Sequence, residues 1–196
     1  MNANRIIVIV LALFILLGLF QGCGAYNTFV KEDQNVQEAW SKVQSAYQRR
    51  ADLIPNLVET VKGAADFEKS TLTAVIAARA KATSVTVDPS NITPEKLKEF
   101  QAAQSGLSQS LGRLLVSVER YPELKANKNF LELQAQLEGT ENRIKIARDK
   151  FNTAVKGYNT TVKTFPENIF AGIFGFGSKA YFQSAKGSEE APKVNF

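Results

Sequence analysis

The chain has 196 residues, 24 Lys and Arg against 19 Asp and Glu, a net charge of +5, no His and one Cys. That length suits one well-buried domain plus an anchor, and the missing His and lone Cys exclude imidazole proton shuttles, imidazole metal ligands and an internal disulfide. The basic excess is scattered, without the stripe and interleaved aromatics of a nucleic-acid binder, so neither a nucleic-acid partner nor a cofactor is expected, and no carboxylate sits in an apolar context suited to acid–base catalysis.

Residues 1–26 read as a membrane anchor or a lipoprotein-type signal. Ile6 to Phe20, IIVIVLALFILLGLF, is continuously apolar and uncharged. It is short of the about 20 residues that span a bilayer, but the neutral stretch Gln21 to Tyr26 can extend it. One reading is an uncleaved spanning helix with Tyr26 at the interface. The other is a secretory signal ending in Leu19-Phe-Gln-Gly-Cys23, with Cys23 acylated as the mature N-terminus. Arg5 on the near side and mixed charge beyond Asn27 predict a cytoplasmic N-terminus and an exported domain.

Residues 27–164 carry helical periodicity. From Thr28 to Lys62 the positions Val36, Trp40, Val43, Tyr47, Arg50, Ile54, Leu57 and Val61 form a coiled-coil-like seam with one cation in it. Pro55 inside this run implies either a kink or a restart in which Asp52 caps a second helix. A second segment, with an Asp66 cap, places Leu72, Val75, Ile76 and Arg79 on one face. The clearest loop, Val85 to Pro94, carries two prolines. Thr93-Pro94-Glu95 is a strong helix start, and the stripe Leu97, Phe100, Gln104, Leu107, Leu111, Leu114, Val118 and Tyr121 runs to the stop at Pro122. The last helix is predicted from Lys128 to Lys163, with a seam from Phe130 to Val162 broken in Gly139-Thr-Glu-Asn-Arg143.

Two long helices therefore each carry a polar break. If they pack together, Arg50 needs an acidic partner, and Glu141 is best placed, with Asp52 and Arg143 available for a wider network. Such a group is either a device that fixes helix register or a polar notch that binds a ligand.

Residues 165–182 are aromatic and Gly-rich without clean helical spacing. They either fold over the end of the bundle or present Ile169, Phe170, Ile173, Phe174 and Phe176 as an interaction patch to a membrane or a protein. Residues 183–196 read as a polar, flexible or lightly docked tail.

Several of these features also carry a resemblance. Tyr26-Asn27, Ala39-Trp40, Tyr47-Gln-Arg-Arg50 leading into Asp52-Leu-Ile-Pro-Asn-Leu-Val58, Tyr121-Pro-Glu-Leu-Lys-Ala-Asn127, Gly139-Thr-Glu-Asn-Arg-Ile144 and the closing Pro192-Lys-Val-Asn-Phe196 are similar to the LemA family. The resemblance implies a bacterial, N-terminally membrane-anchored, up-and-down helical bundle with no established catalytic activity, so it supplies no catalytic residues. Cys23 departs from the plain spanning helix of many relatives.

The expectation is an all-α protein, an antiparallel up-and-down bundle of long helices behind an N-terminal anchor. It serves as a non-enzymatic scaffold or adaptor at the bacterial cell membrane, with the bundle outside the cytoplasm. Its expected partners are the membrane, one or more proteins, and further copies of itself. The alternatives are an envelope ligand-binding lipoprotein using Arg50 and Glu141, or a carboxylate-dependent hydrolase.

Overall fold

The computed structural model describes residues 3–63 and 68–183. The described residues form six α-helices and no strand: α1 (Ala3–Lys62), α2 (Lys69–Ser84), α3 (Pro94–Val118), α4 (Pro122–Lys125), α5 (Lys128–Lys163) and α6 (Glu167–Phe174). The all-α helical bundle expected from the periodicity is the fold. The Asp66 cap and almost all of the 183–196 tail lie outside the described residues.

Two compact units divide the chain. One comprises Met1–Tyr47, Asp88–Asn91 and Arg143–Lys179; the other comprises Gln48–Val87, Ile92–Asn142 and Ala180–Phe196.

In the first unit the three-four spacing of α1 buries Phe29, Val36, Trp40 and Val43, and that of α5 buries Phe151, Val155, Tyr158 and Val162. Trp40 meets Phe151 edge-on with ring centroids 5.4 Å apart, an arrangement aromatic quadrupoles favour. Beyond α5 the chain is held by Asn159. Its Oδ1 accepts the Lys179 N–H at 2.8 Å, and its Nδ2 donates to the Lys179 carbonyl at 2.9 Å. Lys179 in turn pairs with Asp33 at 2.7 Å and lies over the Tyr158 ring.

The second unit has one continuous apolar core in which Ile54, Leu57 and Val61 of α1 join Leu72 and Val75 of α2, Leu107, Leu111 and Leu114 of α3, and Phe130 and Leu137 of α5. α3 starts as its sequence predicts: the Thr93 hydroxyl accepts the Lys96 N–H, with Pro94 in the first turn. The buried face of α2 carries Leu72, Val75 and Ala82, while Ile76, expected on that face, is exposed. Steps of three, four and three from Leu72 lead to Val75, Arg79 and Ala82, which leaves Ile76 to one side of the stripe.

α1 is one helix from Ala3 to Lys62 with Pro55 inside it, so the chain does not restart at Asp52. Proline supplies no N–H to the carbonyl four residues back, which here is that of Ala51. Arg79 of α2 donates its Nε–H to that oxygen at 2.8 Å. The bond proline removes within α1 is thus replaced from α2.

The aromatic segment also differs from its sequence reading, because it contains a true helix. Ile169 and Ile173, and Phe170 and Phe174, are i, i+4 pairs on adjacent faces of α6. The helix ends at Gly175, whose φ of 78° is the left-handed conformation glycine adopts without a Cβ clash. The Phe176 N–H closes the cap on the Ala171 carbonyl at 2.9 Å.

Candidate functional site

The polar break in the seam of α1 is a built site. Arg50 is 1% exposed in a row whose other members are apolar. A buried guanidinium is tolerated only when its donors are met, and the second unit supplies acceptors from two helices. Nη2 donates to the Gln104 side-chain Oε1 at 2.6 Å and to its backbone carbonyl at 3.2 Å, both on α3. Nη1 donates to the Ser108 hydroxyl and to Glu141 Oε1, each at 2.7 Å.

Gln104 makes the cluster larger than the pair expected from sequence. Its Nε2 donates to the Ala82 carbonyl at 3.1 Å. That oxygen lies in the last turn of α2, where helix carbonyls have no intrahelical donor. One side chain therefore satisfies Arg50 with its oxygen and closes α2 with its nitrogen. The break in α3 and the break in α1 are the same feature.

Glu141 remains half exposed while its partner is buried. Asp52 points to solvent and accepts from Gln48 on its own helix at 2.7 Å, and Arg143 is exposed. The structure therefore brings Arg50 and Glu141 together with Gln104 and Ser108, and leaves Asp52 outside. Among the described residues no three His, Cys, Asp or Glu side chains converge as metal ligands do.

A second constellation lies in the first unit, where the apolar N-terminal part of α1 meets α6. Gly22 allows the close approach, since a Cβ there would stand 3.2 Å from the Phe170 ring. Tyr26 is edge-on to Phe174 and Phe176, at 5.2 and 5.8 Å, and Phe29 meets Phe176 at 5.1 Å. Cys23 is exposed, next to Gly22. The N-terminal part of α1 is long and apolar enough to cross a membrane.

The stretch Tyr47 to Val61, which holds Arg50 and Pro55, falls inside the region that is matched, as does α6, whereas Gly22, Tyr26 and Phe29 lie ahead of it. A sequence profile of the LemA family covers residues 39–196. The chain belongs to the LemA family. Among the relatives, Protein LemA of Metamycoplasma hominis is 26% identical over 163 residues, covering 83% of this chain and 71% of that one. Magnetosome protein MamQ 2 of Paramagnetospirillum magneticum is 29% identical over 175 residues, covering 81% of this chain and 64% of that one. Magnetosome protein MamQ of Magnetospirillum gryphiswaldense is 27% identical over 174 residues, with coverages of 80% and 64%. The chain thus spans less than two thirds of the length of the MamQ relatives. LemA membership and the apolar N-terminal helix identify a membrane-associated protein of this family.

Proposed function

We propose that this LemA-family chain is a non-enzymatic, membrane-tethered scaffold that presents rigid helix faces to a protein partner of the bacterial cell envelope. The observation that carries the reading is the state of the Arg50 cluster. Its guanidinium is engaged by Gln104, Ser108 and Glu141 of the same chain. Polar groups that would otherwise recognise a ligand are used to lock helices in register. The ligand-binding alternative needs Arg50 to leave four acceptors, of which the two oxygens of buried Gln104 would each cost about 1–3 kcal/mol if left unmet.

The same reading puts the N-terminus in the cytoplasm, with Arg5 on the positive side of the span, and the bundle outside. Scaffold surface is available in the second unit, where Val116 on α3 and Ile76 on α2 are exposed apolar side chains.

Photo-crosslinking in bacterial membranes from position 116 tests this. A discrete set of protein adducts is expected, and it should vanish when residues 3–26 are exchanged for an unrelated cleavable export signal. Adducts with lipid alone, or none, overturn the scaffold reading.

A further inference from the structure

We propose that α6 is an interfacial foot, which lies in the headgroup layer of the leaflet from which α1 emerges and anchors the first unit at a second point. The occupant of the aromatic patch is then the bilayer itself. The proposal rests on the reading that the apolar part of α1 spans that bilayer.

Two faces of α6 divide the work. Phe170 and Phe174 turn toward α1, one against Gly22 and the other against Tyr26. Ile169 and Ile173, one turn apart, turn away from it, and Ile173 is 70% exposed. Phe165, just before the helix, is 75% exposed. These are large apolar groups that water does not favour.

Their place along α1 says what covers them. The exposed apolar surface of α1 includes Leu16, Leu17 and Phe20, and α6 attaches at Gly22 and Tyr26, immediately beyond it. With Tyr26 at the interface, Gly22 lies about 6 Å deeper at 1.5 Å per residue. The headgroup region on each side of the about 30 Å hydrocarbon core is of similar thickness, about 5–8 Å. A helix fixed between those residues is held at interfacial depth. Its composition agrees: α6 combines one strongly apolar face with Glu167 and Asn168, and it sits beside Tyr26, an aromatic of the type enriched at that level.

The foot also explains why the segment after α5 is tied down so firmly. The Asn159 clamp on Lys179 and the Lys179–Asp33 pair fix the chain just after α6. A short helix in an interface binds weakly alone, and tethering at both ends removes most of the entropy cost of placing it.

The test uses the full chain in bilayers of phosphatidylglycerol and phosphatidylethanolamine. Cys23→Ser removes the native thiol, and single cysteines from Ile173→Cys, Ile169→Cys, Leu13→Cys and Val116→Cys carry an NBD fluorophore. The expected result at 169 and 173 is blue-shifted emission, quenched more by a shallow spin-labelled lipid than by a deep one. Position 13 should be quenched most by the deep label and position 116 by neither. If 169 and 173 behave like 116 while 13 is quenched, the foot is overturned and the spanning reading stands. If 13 also escapes quenching, the spanning reading itself fails, and the foot with it. Disulfide-linked dimers of the unlabelled Ile173→Cys chain, together with no lipid quenching of the labelled one, would assign the face to a second copy and overturn the proposal.

Discussion

Arg79 donates its Nε–H at 2.8 Å to the carbonyl oxygen of Ala51, the oxygen that Pro55 leaves without an intrahelical donor. Ala51 is buried, so the acceptor has no ready access to water. Arg79→Met should cost about 1–3 kcal/mol, the range for a buried group left unmet. Pro55→Ala returns an N–H to that oxygen, so the Arg79 substitution should cost clearly less in the Pro55→Ala background. Urea midpoints of the four chains measure the coupling. Equal costs in both backgrounds would refute the compensation.

Arg50 and Glu141 should respond unequally. Removing the buried partner, Arg50→Ala, strands the oxygens of buried Gln104 and leaves a cavity, at an expected cost of about 2–5 kcal/mol. Glu141 is half exposed, and Arg50 retains its other acceptors without it. Glu141→Ala should therefore cost about 1 kcal/mol, and less at high salt. Denaturant unfolding at two ionic strengths checks both, and comparable losses would count against the registry role.

Burial, and secondarily the negative charge of Asp33, push the Tyr158 phenol from 10.0 up to about 12. The folded chain then holds a proton that the unfolded chain releases between those values. The resulting stability is fully present below pH 10 and is lost as pH rises toward 12. Tyrosinate absorbance, compared between the native chain and Tyr158→Phe, should show one phenol ionising later than the rest. Asp33→Asn should bring that ionisation to lower pH; no change would remove Asp33 as a cause.

Asn159 makes two hydrogen bonds to the backbone of Lys179. Asn159→Ala should destabilise the first unit by about 1–3 kcal/mol and speed hydrogen exchange at the Lys179 amide. An exchange rate that does not move would show that Asp33 and Tyr158 suffice to hold this segment.

For the N-terminus, the packing of Phe170 against Gly22 favours an uncleaved chain. Cleavage before Cys23 would strip Phe170 of that neighbour and uncover the aromatic cluster. Intact mass of the membrane-extracted protein should therefore show residues ahead of Cys23 and no acyl addition. A chain starting at acylated Cys23 would end this account.

How far these features could be read from sequence depends on their periodicity. The seam Val36 to Val61 is legible because every buried position recurs at three or four residues, and a cation in such a row demands a partner. Glu141 was findable, since it lies in the only polar break of the other long helix. The role of Gln104 was not, because the bond by which it closes α2 runs to the Ala82 backbone carbonyl, which leaves no trace in residue identity. The same is true of Arg79, although a proline at 55 marks Ala51 as short of a donor. α6 was obscured by glycines that weaken helix propensity, although its i, i+4 aromatic and aliphatic pairs were present. What remained hidden was that Gly22 and Gly175 serve contact and capping.

Trp40 is the only tryptophan in the chain, and it is fully buried against Phe151 in the first unit. The second unit holds no indole, so tryptophan emission is silent about it. Ultraviolet circular dichroism, in contrast, sums helices from both. Recording the two signals through one unfolding experiment separates the units optically, without a label. Coincident curves would mean that they melt as one cooperative body.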